Sequence, residues 1–84
     1  MSYVVISTKT RLECGPTICG DEWSDPALMA RLDAQIKEDP GNDFKYYVSP
    51  YPARVILNKL AVEGYRVVTC AGPGQTCIWT LHKP

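Results

Sequence analysis

Apolar and polar positions change period several times along this chain, and each change marks an element. Tyr3 to Lys9 is rich in β-branched residues, which predicts a strand with apolar groups on both faces. Arg11, Leu12, Glu13 and Cys14 then alternate, the period of a half-buried strand, before Gly15-Pro16 punctuates the pattern. Thr17-Ile18-Cys19 reads as a short third strand. So little chain separates the three that they must be antiparallel neighbours or one bent ribbon.

Ser24-Asp25-Pro26 predicts a helix start, with Asp25 as the cap and Pro26 in the first turn, where a missing N–H costs nothing. Leu28, Met29, Leu32 and Ile36 share one stripe at helical spacing, and Asp39-Pro40-Gly41 stops the run. Asp43 to Val48 alternates again, with Phe44, Tyr46 and Val48 on one face. Pro50-Tyr51-Pro52 opens a second helix, Val55, Ile56 and Leu60 form its buried stripe, and Gly64 ends it in the left-handed conformation. Tyr65 to Ala71 and Thr76 to Leu81 are the last strands, joined by a Gly72-Pro73-Gly74-Gln75 turn. A turn centred between residues 73 and 74 sets Cys70 opposite Cys77 and Val68 opposite Trp79. The expected fold is α+β: one small domain spanning residues 1–84, a mainly antiparallel β-sheet with two short helices on one face, in the order β-β-β-α-β-α-β-β. Two short helices cannot cover both faces of such a sheet. With eight aromatic residues, the other face or an edge is left sticky, which favours an oligomer or a partner-binding module.

Charge narrows the choice of partners. Nine Lys+Arg balance nine Asp+Glu, so no surplus of positive charge supports binding to nucleic acid or an anionic membrane. Val4-Val5-Ile6 is far too short to span a bilayer, and the basic residues follow it instead of preceding it as in a signal peptide. These features predict a soluble, cytosolic domain. The four cysteines lack the two-residue gap of a zinc or redox motif and read as reduced, small apolar side chains. Across a hairpin, Cys70 and Cys77 nonetheless come within reach of a bridge. No metal and no cofactor is expected.

Little in the chain can catalyse. His82, the one histidine, stands near the C-terminus and reads as a surface or interface residue, with nothing in sequence to orient it as a base. Asp21, Glu22 and Asp25 read as favourable charge before a helix N-terminus. The Gly72 to Thr76 stretch lacks both the lysine of a phosphate loop and a following helix. Its tip presents Gln75 and Thr76, an amide and a hydroxyl suited to recognising a small zwitterion or a partner loop. Trp23, in an acidic loop, reads as a lid or interface residue, Trp79 as core, and Arg11 equally as a solvated charge or an interface anchor.

Several short blocks, taken together, are specific. Ile6-Ser7-Thr8, Gly15-Pro16-Thr17, Gly20-Asp21-Glu22, Ser24-Asp25-Pro26, Leu28-Met29, Gly74-Gln75-Thr76 and Leu81-His82-Lys83 stand in the order and spacing of one small family. In these blocks the chain resembles the GTP cyclohydrolase I feedback regulatory protein family along nearly its whole length. That resemblance implies a regulator that is not an enzyme. It implies a homopentamer docking on the outer faces of decameric GTP cyclohydrolase I, with tetrahydrobiopterin favouring the inhibited enzyme and L-phenylalanine the active one. It also implies a cytosolic location with the nucleus as a second compartment. Carried onto this chain, the phenylalanine site falls on Gln75 and Thr76, with Arg11 and Leu12 as wall or interface. Two other classes compete: a stand-alone sensor binding an amino acid or pterin between its own subunits, and an enzyme using Cys14, Cys19 or His82.

Overall fold

In the computed structural model, residues 2–9, 14–41, 43–72 and 77–84 are described. They form β1 (Ser2–Thr8), β2 (Thr17–Asp21), α1 (Pro26–Arg31), β3 (Gln35–Glu38), β4 (Lys45–Ser49), α2 (Ala53–Val62), β5 (Arg66–Ala71) and β6 (Ile78–Lys83). The strands make one antiparallel sheet in the order β3-β4-β2-β1-β6-β5. The α+β class and the two short helices are as the pattern predicts.

Alternation along β1 and β6 decides where the core lies. Val4, Ile6 and Thr8 turn inward from β1 and Leu81 from β6, while Tyr3, Val5 and Ile78 turn outward. The inward set meets Cys19 of β2, Leu28, Met29 and Leu32 from α1 and its end, and Ile56 and Leu60 from α2. Both helices therefore pack on the same sheet face. Ile6, Leu32, Ile56 and Leu60 lose all contact with water, each stabilising the fold by about 1.5–3 kcal/mol through transfer alone. Arg31 Nε donates to Glu63 Oε2 at 2.7 Å, tying the helix ends together at the surface.

Local chemistry starts and stops the helices. Asp25 accepts a hydrogen bond from the Ala27 N–H at 3.1 Å and Pro26 occupies the first turn, as predicted. At the end of α2, Gly64 takes φ 98°. Its N–H donates to the Ala61 carbonyl and the next N–H, of Tyr65, to the Leu60 carbonyl. These are the two bonds of a Schellman cap.

The first helix departs from expectation. Instead of running on to Ile36, it ends at Arg31 with the same cap, built on Asp33 at φ 57°. Asp33 N–H donates to the Ala30 carbonyl and Ala34 N–H to the Met29 carbonyl. Aspartate is among the few non-glycine residues that take the left-handed conformation at modest cost. Beyond it Gln35–Glu38 pairs with β4 as an edge strand, and Ile36 is 48% exposed rather than part of a helical stripe. Val55 is only half-buried, and Ala53 joins Ile56 and Leu60 in the buried face of α2.

The last hairpin also differs. Cys70 stands opposite Trp79 and Ala71 opposite Ile78, with an irregularity between Val67 and Thr69. The expected pairs, Cys70 with Cys77 and Val68 with Trp79, do not form. Cys77 extends the pairing of β6 with β1: Thr8 N–H donates to its carbonyl at 3.0 Å, and its own N–H donates to Thr8 Oγ1 at 2.9 Å. In β5 an extra residue at Val68 forms a bulge. The strand predicted at Arg11–Cys14 falls largely outside the described residues; Cys14 itself is exposed and not in a strand.

The cap at Asp33 makes a test of the backbone. Asp33→Gly should be at least as stable as the wild type, because glycine adopts the left-handed conformation freely. Asp33→Val should lose about 1–2 kcal/mol, measured by urea denaturation. A destabilised Asp33→Gly would instead give the leading role to the 3.5 Å pair of Asp33 with Lys59, which an exposed ion pair rarely earns.

Candidate functional site

Arg11, Leu12, Gln75 and Thr76 lie outside the described residues, but the residues flanking them are placed. Thr8 closes β1 two positions before segment 10–13, and Cys77 follows segment 73–76 directly. The double hydrogen bond between Thr8 and Cys77 joins these two flanks. On the other side Lys9 N–H donates to the Pro16 carbonyl at 3.3 Å. Thr8 and Cys77 thus meet at one end of the sheet, on neighbouring strands, although nearly seventy positions separate them in sequence.

Further contacts support that end. Thr17, fully buried, donates its hydroxyl to the Tyr51 carbonyl at 2.8 Å. Gly15 passes so close to Pro50 that a Cβ would run into the Pro50 carbonyl oxygen, which explains glycine there without any left-handed backbone. Lys9 Nζ donates to the Tyr46 hydroxyl at 3.3 Å and lies 5.5 Å from the centre of its ring. The same hydroxyl donates to Asp39 Oδ2 at 2.7 Å. Sequence reading missed this Lys9–Tyr46–Asp39 chain: its only trace was the Tyr46 position in an alternating strand, and the partners lie 37 and 7 residues away.

The sheet face away from the helices is apolar and open. Tyr3 is 66% and Ile78 51% exposed. Val5, Ile18, Phe44 and Tyr46 line a shallow groove of about 510 Å³, and Trp23, 85% exposed, stands at it. A lid or interface reading of Trp23 fits this position. Trp79 is half-buried against the core, as expected. His82 lies over Tyr3 with ring centroids 4.5 Å apart, and its Nε2 is buried without a hydrogen-bond partner among the described residues. Such an orphan suits a surface that a neighbour completes better than a base, for which an orienting partner is required.

The other candidate groups serve structure. Asp21 Oδ1 accepts from the Trp23 N–H at 3.0 Å and the Ser24 hydroxyl at 3.3 Å, and Asp25 caps α1. Cys19 faces the core while His82 faces the open side. Cys14 sits at the Thr8 end of β1 and His82 at the Tyr3 end. Cys19 and His82 lie on opposite faces of the sheet. Among the described residues no group of three or more His, Cys, Asp or Glu is arranged to hold a metal ion.

The GTP cyclohydrolase I feedback regulatory protein (GFRP) family model matches residues 2–84 of this chain. The GTP cyclohydrolase 1 feedback regulatory proteins of Xenopus tropicalis and Xenopus laevis are each 55% identical over 83 residues, which make up 99% of both chains compared. The Danio rerio protein of the same name is 51% identical over 83 residues, 99% of this chain and 93% of its own.

Burial pushes the Cys19 thiol up to about 11, although a backbone hydrogen bond at Ser49 works the other way. In the unfolded chain it ionises near 9.0. The stability linked to its neutral form is complete below pH 9 and is lost as pH climbs towards 11. Wild type should therefore lose more stability than Cys19→Ala between those pH values, the difference removing the tyrosines and lysines common to both. Urea midpoints measured across this range check it; equal losses would show that Cys19 ionises freely in the fold.

Proposed function

Because this chain belongs to the GTP cyclohydrolase I feedback regulatory protein family, we propose that it is a non-catalytic regulator that binds GTP cyclohydrolase I and couples the enzyme to its effectors. The match over residues 2–84 carries this reading. The chain assembles as a homopentamer and docks on the outer faces of the decameric enzyme. Tetrahydrobiopterin stabilises the inhibited state and L-phenylalanine the active one, and each acts only through its difference in affinity for the two states. Phenylalanine is held between regulator and enzyme, with Gln75 making polar contact to its backbone and Arg11, Leu12 and Thr76 supplying wall and interface. The complex works in the cytosol and the nucleus.

Self-assembly has physical support. A closed ring of identical subunits needs two different, complementary surfaces on each subunit. The outer strands are unlike: β3 carries Lys37 and Glu38, charges that protect an edge, whereas β5 presents exposed Val67 and Val68. The open face with Tyr3, Val5 and Ile78 adds a third surface of distinct character. Thr8 and Cys77, which flank the two proposed ligand segments in sequence, are hydrogen-bonded to each other at one end of this sheet, which supports that end as the enzyme-facing one.

Co-elution with GTP cyclohydrolase I from the same organism should yield a complex that phenylalanine or reduced pterin strengthens. Light scattering of the chain alone should give about five subunits, a closed cyclic assembly. Gln75→Ala should leave the pentamer intact and abolish stimulation by phenylalanine. Undiminished stimulation would reject the role of Gln75. Tight calorimetric binding of phenylalanine or pterin without the enzyme would favour a stand-alone sensor, and a complex indifferent to both ligands would remove the feedback role.

A further inference from the structure

Two of the four thiols touch. Cys70 Sγ and Cys77 Sγ lie 3.0 Å apart, while Cys14 is exposed and Cys19 is closed in the core. The pairing follows from the backbone. Cys70 stands opposite Trp79, and Cys77, two residues before Trp79, projects from the same sheet face, so the sulfurs meet on the diagonal of the ladder. The Thr8 bonds hold Cys77 in place, and β6 holds Cys70. A covalent S–S bond needs the sulfurs about 1 Å closer, at roughly 2.05 Å. Cys70 is exposed, so a small disulfide can reach it.

We propose that Cys70 and Cys77 form a reversible thiol–disulfide couple that cross-links the β5–β6 hairpin, with glutathione disulfide as the oxidant. One thiol loses its proton and its thiolate attacks a glutathione sulfur, releasing one glutathione thiolate and leaving a mixed disulfide. The second cysteine, deprotonated in turn, attacks the protein sulfur of that mixed disulfide and expels the second glutathione. The balance is two protein thiols oxidised to one disulfide and one glutathione disulfide reduced to two glutathione molecules, which take up both protons. The bond closes a covalent ring spanning residues 70–77. This couple is independent of the proposed regulatory function.

The environment sets the pH dependence and the choice of thiol. The hydrogen bond with Cys77 holds the Cys70 thiol above its ordinary range, so cross-linking accelerates as pH rises and thiolate accumulates. Burial keeps Cys19 protonated and out of reach, and Cys14, not paired with another thiol among the described residues, stops at the mixed disulfide.

The reduced, full-length protein is incubated with glutathione disulfide, quenched in acid and digested with trypsin. Cleavage after Arg66 leaves Cys70 and Cys77 together on the peptide that begins at Val67, apart from Cys14 and Cys19. That peptide should lose two hydrogens and regain them with dithiothreitol, while the protein remains a single chain on a non-reducing gel. Cys77→Ser should trap glutathione on Cys70, raising the adduct at least about tenfold over wild type, because no intramolecular thiol resolves it. Cys14→Ser should leave the cross-link unchanged. A wild-type protein, folded by circular dichroism, that accumulates glutathione adducts at Cys70 or Cys77 without the cross-link overturns the proposal. A covalent dimer through these residues overturns it equally, as does a cross-link that requires Cys14.

Discussion

The coverage of one sheet face governs most of what this molecule does. Six strands offer two faces, but helices of six and ten residues reach only one. Val4, Ile6, Cys19 and Leu81 meet Leu28, Met29, Leu32, Ile56 and Leu60 on that side and close a core with several side chains at no exposure. Tyr3, Val5, Ile78 and the groove flanked by Trp23 are left for water or a neighbour. Exposed apolar area of this kind is more stable covered than bare.

A second constraint is the hold of β1 on Cys77. Through Thr8 it joins the end of the first strand to the start of the last, and with it the anchors of segments 10–13 and 73–76. On the other edge of β6 the ladder with β5 sets Cys70 opposite Trp79 and carries a bulge at Val68. Cys77 then meets Cys70 diagonally instead of across the strands. One pair of backbone and hydroxyl bonds therefore positions the flanks of the candidate ligand segments and brings two thiols together.

The chemistry available elsewhere is spent on structure. Asp21 and Asp25 serve a turn and a cap, Cys19 is packed in the core, and Asp39 accepts from Tyr46. Cys19 and His82 point to opposite faces. Catalysis needs such groups to converge. Regulation by contact needs only that surfaces be presented in a fixed relation, which the sheet provides.

Much of the fold was readable from residues acting over short range. Asp25-Pro26 starts a helix and Gly64 stops one because capping and φ preference are local properties. The β-branched run from Tyr3 marked a strand with apolar groups on both faces, without saying which face turns inward, and helices too small for both sheet faces followed from their length. Gln75 and Thr76 stood out as a polar turn, but grouping them with Arg11 and Leu12 came from family resemblance, since no local pattern links positions so far apart. What the sequence could not reveal depended on distant partners. Asp33 ends α1 in a conformation that aspartate only tolerates, and Gln35–Glu38 becomes a strand because β4 offers it a ladder. The last hairpin carries a bulge at Val68, and Cys77 bonds to Thr8, nearly seventy positions away. Local preference differs by about 1 kcal/mol between such alternatives, so hydrogen bonds and burial supplied by other parts of the chain decide the outcome.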